Sequence, residues 1–309
     1  MTKVFIDGSA GTTGLRLFER LSARDDLIIT VLTGNDRKSP EARRNAINSS
    51  DVAFLCLPDD ASREAVAMTE NPDVTIIDTS TAHRTHDEWA YGFPELSESH
   101  REKVRTLKRI AVPGCHASGF VSLIYPLTAN GIISKDTELS CFSLTGYSGG
   151  GKKMIAEYES ENRNPLLSAP RQYGLGQQHK HLKEMKAIPS LSAEPAFCPV
   201  VADFYSGMEV TVPLFGKDLI SPYTAEDIKN IYKSLYKGTL VKYNESDEEG
   251  FLSASALSGK DTMEVSVRGN GDRILLVSRF DNLGKGASGA AIECLNVHLG
   301  LPDEYGLEL

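Results

Sequence analysis

The chain has 309 residues, 40% of them hydrophobic, and a formal net charge of −9 at pH 7. That length and apolar content support two domains with well-formed cores. The acidic balance excludes a general nucleic-acid binder and leaves small anions to local basic clusters. The five cysteines, Cys56, Cys115, Cys141, Cys198 and Cys294, are scattered without a C-x-x-C pair. This excludes a zinc ribbon and argues against a disulfide scaffold, so neither a metal nor structural disulfides are expected. A strand-like run begins at residue 4, and no apolar stretch approaches the ~20 residues of a membrane helix. The expectation is a cytoplasmic protein without signal peptide or membrane contact.

Short apolar runs recur at 4–6, 27–32, 52–57, 74–77 and 110–112. Between them lie segments of helical spacing, such as Leu15, Phe18 and Leu21, or Ala61, Ala65, Val66 and Met68. Repeated strand-helix-strand units predict an α/β fold with a doubly wound parallel sheet of Rossmann type. The first turn reads Gly8-Ser9-Ala-Gly11-Thr12-Thr13-Gly14. Glycines there let the backbone approach a pyrophosphate at a helix N-terminus. The spacing is G-x-x-G-x-x-G rather than G-x-G-x-x-G, so its position after the first strand carries the assignment to a dinucleotide. After the second strand, Thr33, Arg37 and Lys38 offer a hydroxyl and two cations where NAD enzymes place a carboxylate. Asp36 falls late for that role, so the expected cofactor is NADP(H).

Pro113-Gly114-Cys115-His116-Ala117-Ser118-Gly119 sets a cysteine on a turn between the run at 110–112 and the apolar segment 120–127. A helix start favours thiolate over thiol, so Cys115 reads either as a nucleophile or as a small buried apolar residue, and the rest of the chain decides. A strand at 139–144 leads into Tyr147-Ser148-Gly149-Gly150-Gly151-Lys152-Lys153, which can nest a phosphate or an oxyanion but is not a Walker loop. Residues 173–184 gather Tyr173, His179, His181 and Glu184. A helix beginning near His179 would put His181 and Glu184 on one face. The His-x-His spacing favours base chemistry over a metal. Further strands at 200–202, 208–212, 263–267 and 274–280, with one amphipathic helix at 224–236, predict a second domain of α+β type. Its mixed, largely antiparallel sheet offers a face for a dimer. Small residues at 284–289 precede an apolar helix at 290–299 and permit close backbone approach.

In this order, G-S-A-G-T-T-G, P-G-C-H-A-S-G, G-Y-S-G-G-G-K, H-K-H-L-K-E and D-N-L-G-K-G-A-S-G resemble the shorter form of the N-acetyl-gamma-glutamyl-phosphate reductase family. That family serves arginine synthesis and is akin to the aspartate-semialdehyde dehydrogenases. The resemblance covers nearly the whole chain. It implies NADP dependence, a dinucleotide domain of residues 1–115 and 285–309, and a catalytic and oligomerisation domain of residues 116–284. It also implies a homodimer or homotetramer. By the same resemblance the nucleophile falls on Cys115 and the acid-base histidine on His181, within a motif usually H-R-H-x-P-E. Here Lys183 replaces the proline and leaves His179 as the other choice. Arg84 would face the acyl phosphate, Asn282 the nicotinamide carboxamide, and Tyr173, His179 and Glu184 the substrate or the catalytic histidine. Ser148 and Gly149 would receive the departing phosphate. The reaction implied is NADPH-dependent reduction of N-acetylglutamyl 5-phosphate through a cysteine thioester. The alternatives are another acyl-phosphate reductase, such as an aspartate-semialdehyde dehydrogenase, or an inactive nucleotide-binding regulatory protein.

Overall fold

In the first strand, β1 (Thr2–Asp7), Val4 and Ile6 enter one apolar cluster and Phe5 enters another, so both faces of the strand are buried. The same alternation holds in β3 (Val52–Leu55) and β4 (Thr75–Asp78), where Val52, Phe54 and Ile77 face one core and Ala53, Leu55 and Ile76 the other. Burial on both faces requires helices on both sides of a parallel sheet. The computed structural model describes residues 1–309, which divide into two units. The first comprises 1–94, 98–113 and 287–307, and the second 95–97, 114–286 and 308–309.

In the first unit, α1 (Thr12–Leu21) follows β1 and leads to β2 (Leu27–Thr30), with α2 (Pro40–Asn48) between β2 and β3 and α3 (Asp59–Ala67) between β3 and β4. A two-residue strand, β5 (Ala90–Tyr91), then α4 (Glu98–Thr106) and β6 (Arg109–Ala111) complete a six-stranded sheet in the order β2-β1-β3-β4-β6-β5, parallel throughout. The order reverses direction between β1 and β3, which opens a crevice at their carboxyl ends. Strand β5 has no counterpart among the predicted elements, because two residues carry no periodicity. The start of α2 is fixed locally: the Ser39 hydroxyl accepts from Ala42 N–H, and Pro40 occupies the first turn.

The second unit begins with α5 (Cys115–Ala129) and β7 (Ser140–Gly146), then α6 (Gly151–Glu159), β8 (Arg171–Gln172), α7 (Leu182–Ala187) and β9 (Ala196–Ala202). After these come β10 (Met208–Phe215), α8 (Ala225–Leu235), β11 (Val241–Tyr243), β12 (Met263–Gly269) and β13 (Arg273–Phe280). Its seven-stranded sheet runs β11-β12-β13-β10-β7-β9-β8 and is mixed: β11–β12 and β7–β9 are parallel and the other pairs antiparallel. Helix α5 covers the face that carries Val210 and Ser278. Along the opposite face Phe142 lies beside Thr211 and Thr211 beside Val277. The chain returns to the first unit with α9 (Gly289–Leu299), whose residues from Gly289 to Val297 are all buried.

Several predicted strand bounds shift, the strands expected at 208–212 and 263–267 running on to Phe215 and Gly269. The strand expected at 139–144 runs on to Gly146, and that expected at 200–202 starts at Ala196, because pairing between β7 and β9 continues along the full register from Ser140–Ala196 to Gly146–Ala202.

Gly119 fixes how close α5 approaches the sheet: a β-carbon there would stand 2.4 Å from Val210 Cγ2 and 2.8 Å from Ser278 Oγ. Val210 is branched at Cβ and cannot swing aside. Gly119→Ala is therefore expected to destabilise the protein by about 1–3 kcal/mol, read as a lower urea midpoint at unchanged slope.

Candidate active site

Cys115 is the first residue of α5, with Gly114 as its N-cap and no side chain capping the turn. The positive end of the helix dipole lies at the residue that carries the sulfur, which is half-buried. Gly114 is held from outside the helix: its N–H donates to the Glu184 carboxylate, at 2.9 Å to one oxygen and 3.3 Å to the other. On another side Gly286 meets the cysteine, and a β-carbon there would lie 3.0 Å from Cys115 Cβ. Cys115 is thus clamped between α7 and the segment after β13.

Beside it stands His116, to which the sequence reading assigned no role. Its Nδ1 lies 2.6 Å from Ser143 Oγ and its Nε2 2.6 Å from the Tyr173 hydroxyl. Burial, with lesser repulsion from His179 and Lys180, pushes this imidazole down to about 3, so it is neutral at neutral pH. The Tyr173 phenol is pushed up, first by burial and then by the charge of Cys115. His179 and His181 pack against the same ring with centroids at 5.5 and 5.6 Å, and 4.7 Å from each other. A histidine next to a candidate nucleophile was the available signal for His116. Ser143 had none, since it is one alternate position in a strand.

The helix expected near His179 begins instead at Leu182, with His181 as its N-cap residue. Turns intervene: Gln177 has φ 52°, and Leu182 N–H bonds the His179 carbonyl. His181 N–H donates to His179 Nδ1 at 3.2 Å, so one nitrogen of His179 is committed to the backbone, and burial lowers the pKa of that ring. Glu184 remains in the first turn of α7, where it reaches Gly114.

Ser148 and Asn282, assigned to different ligands from sequence, meet: Asn282 Nδ2 donates to Ser148 Oγ at 2.9 Å, and Gly207 N–H donates to Asn282 Oδ1 at 2.9 Å. A β-carbon on Gly149 would sit 3.6 Å from the same amide nitrogen. The segment 281–286 therefore runs from Asn282 at the Ser148 loop to Gly286 against Cys115. Lys152 and Lys153 are exposed on α6.

In the first unit the residues after β1 form a cradle. Gly8 has φ 85°, and a β-carbon there would stand 2.3 Å from the Cys56 carbonyl oxygen, just past β3; one on Gly14 would stand 2.4 Å from Gly8 O. A β-carbon on Gly11, by contrast, would make only ordinary contact, 3.5 Å from Gly8 O and 4.0 Å from Cys56 O. The first backbone bond of α1 is Leu15 N–H to Gly11 O, so the N–H groups of Thr12, Thr13 and Gly14 are free of helix bonds, and no side chain caps them. A glycine turn packed this closely below uncapped donors at a switch point fits a pyrophosphate, with Ser9 on the same turn. At the end of β2, Thr33 and Arg37 are exposed. The Arg37 guanidinium makes only a 3.5 Å contact to Gly34 O. Arg84 differs, being buried: its Nε donates to Val112 O at 2.8 Å and its Nη2 to Thr79 O at 2.9 Å.

A family model for the semialdehyde dehydrogenase NAD binding domain matches residues 3–104, and one for the semialdehyde dehydrogenase dimerisation domain matches residues 115–282. The chain is similar to N-acetyl-gamma-glutamyl-phosphate reductase 2 of Nostoc sp., at 42% identity over 99% of both chains. It is also similar to N-acetyl-gamma-glutamyl-phosphate reductase of Sinorhizobium medicae, at 43% identity over 96% of this chain and 98% of the relative. Among solved structures, aspartate semialdehyde dehydrogenase II of Vibrio cholerae superposes with a TM-score of 0.72 at 16% identity, over 97% of this chain and 98% of that one, which establishes a shared fold.

The buried histidines make stability depend on acidity. His116 is lowered from 6.5 to about 3 and His100 to about 4, each chiefly by burial, so the unfolded chain takes up protons first. The stability they contribute is complete above pH 6.5 and is lost as pH falls toward 3. Urea midpoints are expected to drop steadily between pH 6.5 and 4. In His116→Gln the slope should be shallower by up to about 1.4 kcal/mol per pH unit, the value of one proton.

Proposed function

The chain belongs to the N-acetyl-gamma-glutamyl-phosphate reductases, within the wider semialdehyde dehydrogenase family, and on that premise we propose how its residues carry out the reaction. The enzyme reduces N-acetylglutamyl 5-phosphate to N-acetylglutamate 5-semialdehyde, a step of arginine biosynthesis. The observation that carries the mechanism is Cys115 at the N-terminus of α5, held by Glu184 through Gly114, with Tyr173, His179 and His181 gathered around its neighbour His116.

The Cys115 thiolate attacks the acyl carbon; a carbon–sulfur bond forms, the bond to the phosphate oxygen breaks, and a thioester remains. The Ser148-Gly149 turn and Arg84 receive the phosphate. Two of the Arg84 nitrogens bind carbonyl oxygens, which fixes the plane of the guanidinium. When bound, NADPH supplies the hydride. His181 then protonates the oxygen of the thiohemiacetal and later removes that proton, as the carbon–sulfur bond breaks and the aldehyde leaves. The choice of His181 over His179 is supported by the commitment of His179 Nδ1 to the backbone. Tyr173, His179 and Glu184 keep this group and the substrate in place, and Asn282, oriented by Ser148 and Gly207, meets the nicotinamide carboxamide.

Residues 8–14 hold the pyrophosphate of the cofactor, through Gly8, Ser9, Gly11, Thr12, Thr13 and Gly14. Thr33 and Arg37 prefer the 2′-phosphate of NADP. The second unit matches a dimerisation domain, and its sheet leaves Phe142, Phe215 and Leu275 exposed on the face away from α5. A second copy covers that face in a homodimer or homotetramer. No helix is long and apolar enough to cross a membrane, and all five cysteines are free thiols, which suits the cytoplasm.

Cys115→Ser is expected to lower kcat about 10³-fold or more while NADPH still quenches protein fluorescence. The decisive assay compares phosphate-dependent reduction of NADP with N-acetylglutamate semialdehyde and with aspartate semialdehyde. Preference for the second substrate, or substantial turnover by the serine variant, overturns the mechanism. Arg37→Ser should raise KM for NADPH roughly tenfold or more, the loss of one charge-assisted hydrogen bond, and leave KM for NADH nearly unchanged.

A further inference from the structure

The ring of His116 is closed in by two hydroxyls, and the count of their protons gives it a direction. A neutral imidazole carries one N–H and one acceptor nitrogen, so two arrangements are available. If Nδ1 carried the proton, it would donate to Ser143 Oγ. The Ser143 hydroxyl, only 1% exposed, would then keep a proton with no acceptor, because His116 is its sole hydrogen-bond partner. A buried unsatisfied hydroxyl is costly. With the proton on Nε2, every group is satisfied: Ser143 donates to Nδ1, Nε2–H donates to the Tyr173 oxygen, and the Tyr173 proton is turned away from the ring.

We propose that His116 is a positioning residue: locked by Ser143 as the Nε2–H tautomer, it directs the Tyr173 hydroxyl proton to the Cys115 sulfur, where it stabilises the thiolate. The relay rests on the reading of Cys115 as the nucleophile. The Tyr173 hydroxyl has no hydrogen bond other than that to His116, while the Tyr173 N–H donates to Pro199 O at 3.0 Å, and Cys115, adjacent to His116 in the chain, is the charge that acts on its phenol. Low basicity suits the device, because a ring that stays neutral holds one tautomer over the whole working range of pH. The other charged or titrating groups around this pair are His179, Lys180 and His181 before α7 and Glu184 on Gly114. Lys285, beside Gly286, is held by Glu95.

The test needs no substrate. In protein labelled with ¹⁵N-histidine, long-range ¹H–¹⁵N spectra near pH 7.5, assigned against His116→Gln, should show His116 protonated at Nε2 and bare at Nδ1. A proton on Nδ1, or on both nitrogens, overturns the proposal, and this readout does not depend on any variant folding. The rate of Cys115 alkylation by iodoacetamide is followed against pH. Tyr173→Phe should move the profile up by about one pH unit, a roughly tenfold lower rate at pH 7. Ser143→Ala should do nearly the same and Ser143→Thr should restore it. An unshifted profile in Tyr173→Phe or Ser143→Ala excludes the relay. If all these outcomes are as expected and the enzyme fails to act on N-acetylglutamate semialdehyde, the assigned reaction is wrong and the relay stands; the converse pattern condemns the relay alone.

Discussion

The hydrogen bond from Gly114 N–H to the Glu184 carboxylate is the constraint on which the rest of the site depends. It ties the turn before α5 to the first turn of α7, and with it the positions of Cys115, His116 and the histidines that precede α7. A carboxylate so near a thiol opposes ionisation of the sulfur. The fold opposes that effect at the start of α5, where no side chain caps the turn and the positive end of the helix dipole lies. Glu184 thus supplies geometry at an electrostatic cost that the helix terminus offsets.

The segment from Asp281 to Gly286 is the second organiser. Asp281 is buried and accepts from Ser206, Gly259 and Leu283, which fixes the turn from which Asn282 reaches Ser148 and Gly286 reaches Cys115. Loops carry the chemistry, and buried polar groups supply the rigidity that loops lack.

Much of this was legible in the sequence because it rests on local pattern. The runs at 4–6, 52–57 and 74–77 read as strands of a doubly wound sheet, and residues 4–6, 52–55 and 74–77 are buried. The turn at Gly8 and the cysteine turn at Gly114 announce themselves through residue types that few other contexts need. What escaped is non-local. Ser143 and Tyr173 reach His116 from positions 27 and 57 residues away, and no spacing rule joins a strand position to a helix start at that distance. The start of α7 lies later than expected because His181 and Glu184, three apart, carry helical spacing, whereas Gln177 in the left-handed region delays the helix to Leu182. Arg84 was expected as an anion ligand alone, and its bonds to Val112 and Thr79 became visible only once β4 and β6 lay side by side.

Helix α9 closes the first unit from the far end of the chain. Ala290, Ala291, Ile292, Cys294 and Leu295 complete the same core as Val4, Ile6 and Leu17. During translation, the sheet made from residues 1–113 waits for that helix with one flank uncovered, for on the order of ten seconds at ordinary elongation rates. The second unit, contiguous from 114 to 286 apart from a few residues, emerges in the interval and is free to fold first. On the ribosome the unit begun first is therefore completed last, when residues 287–307 emerge.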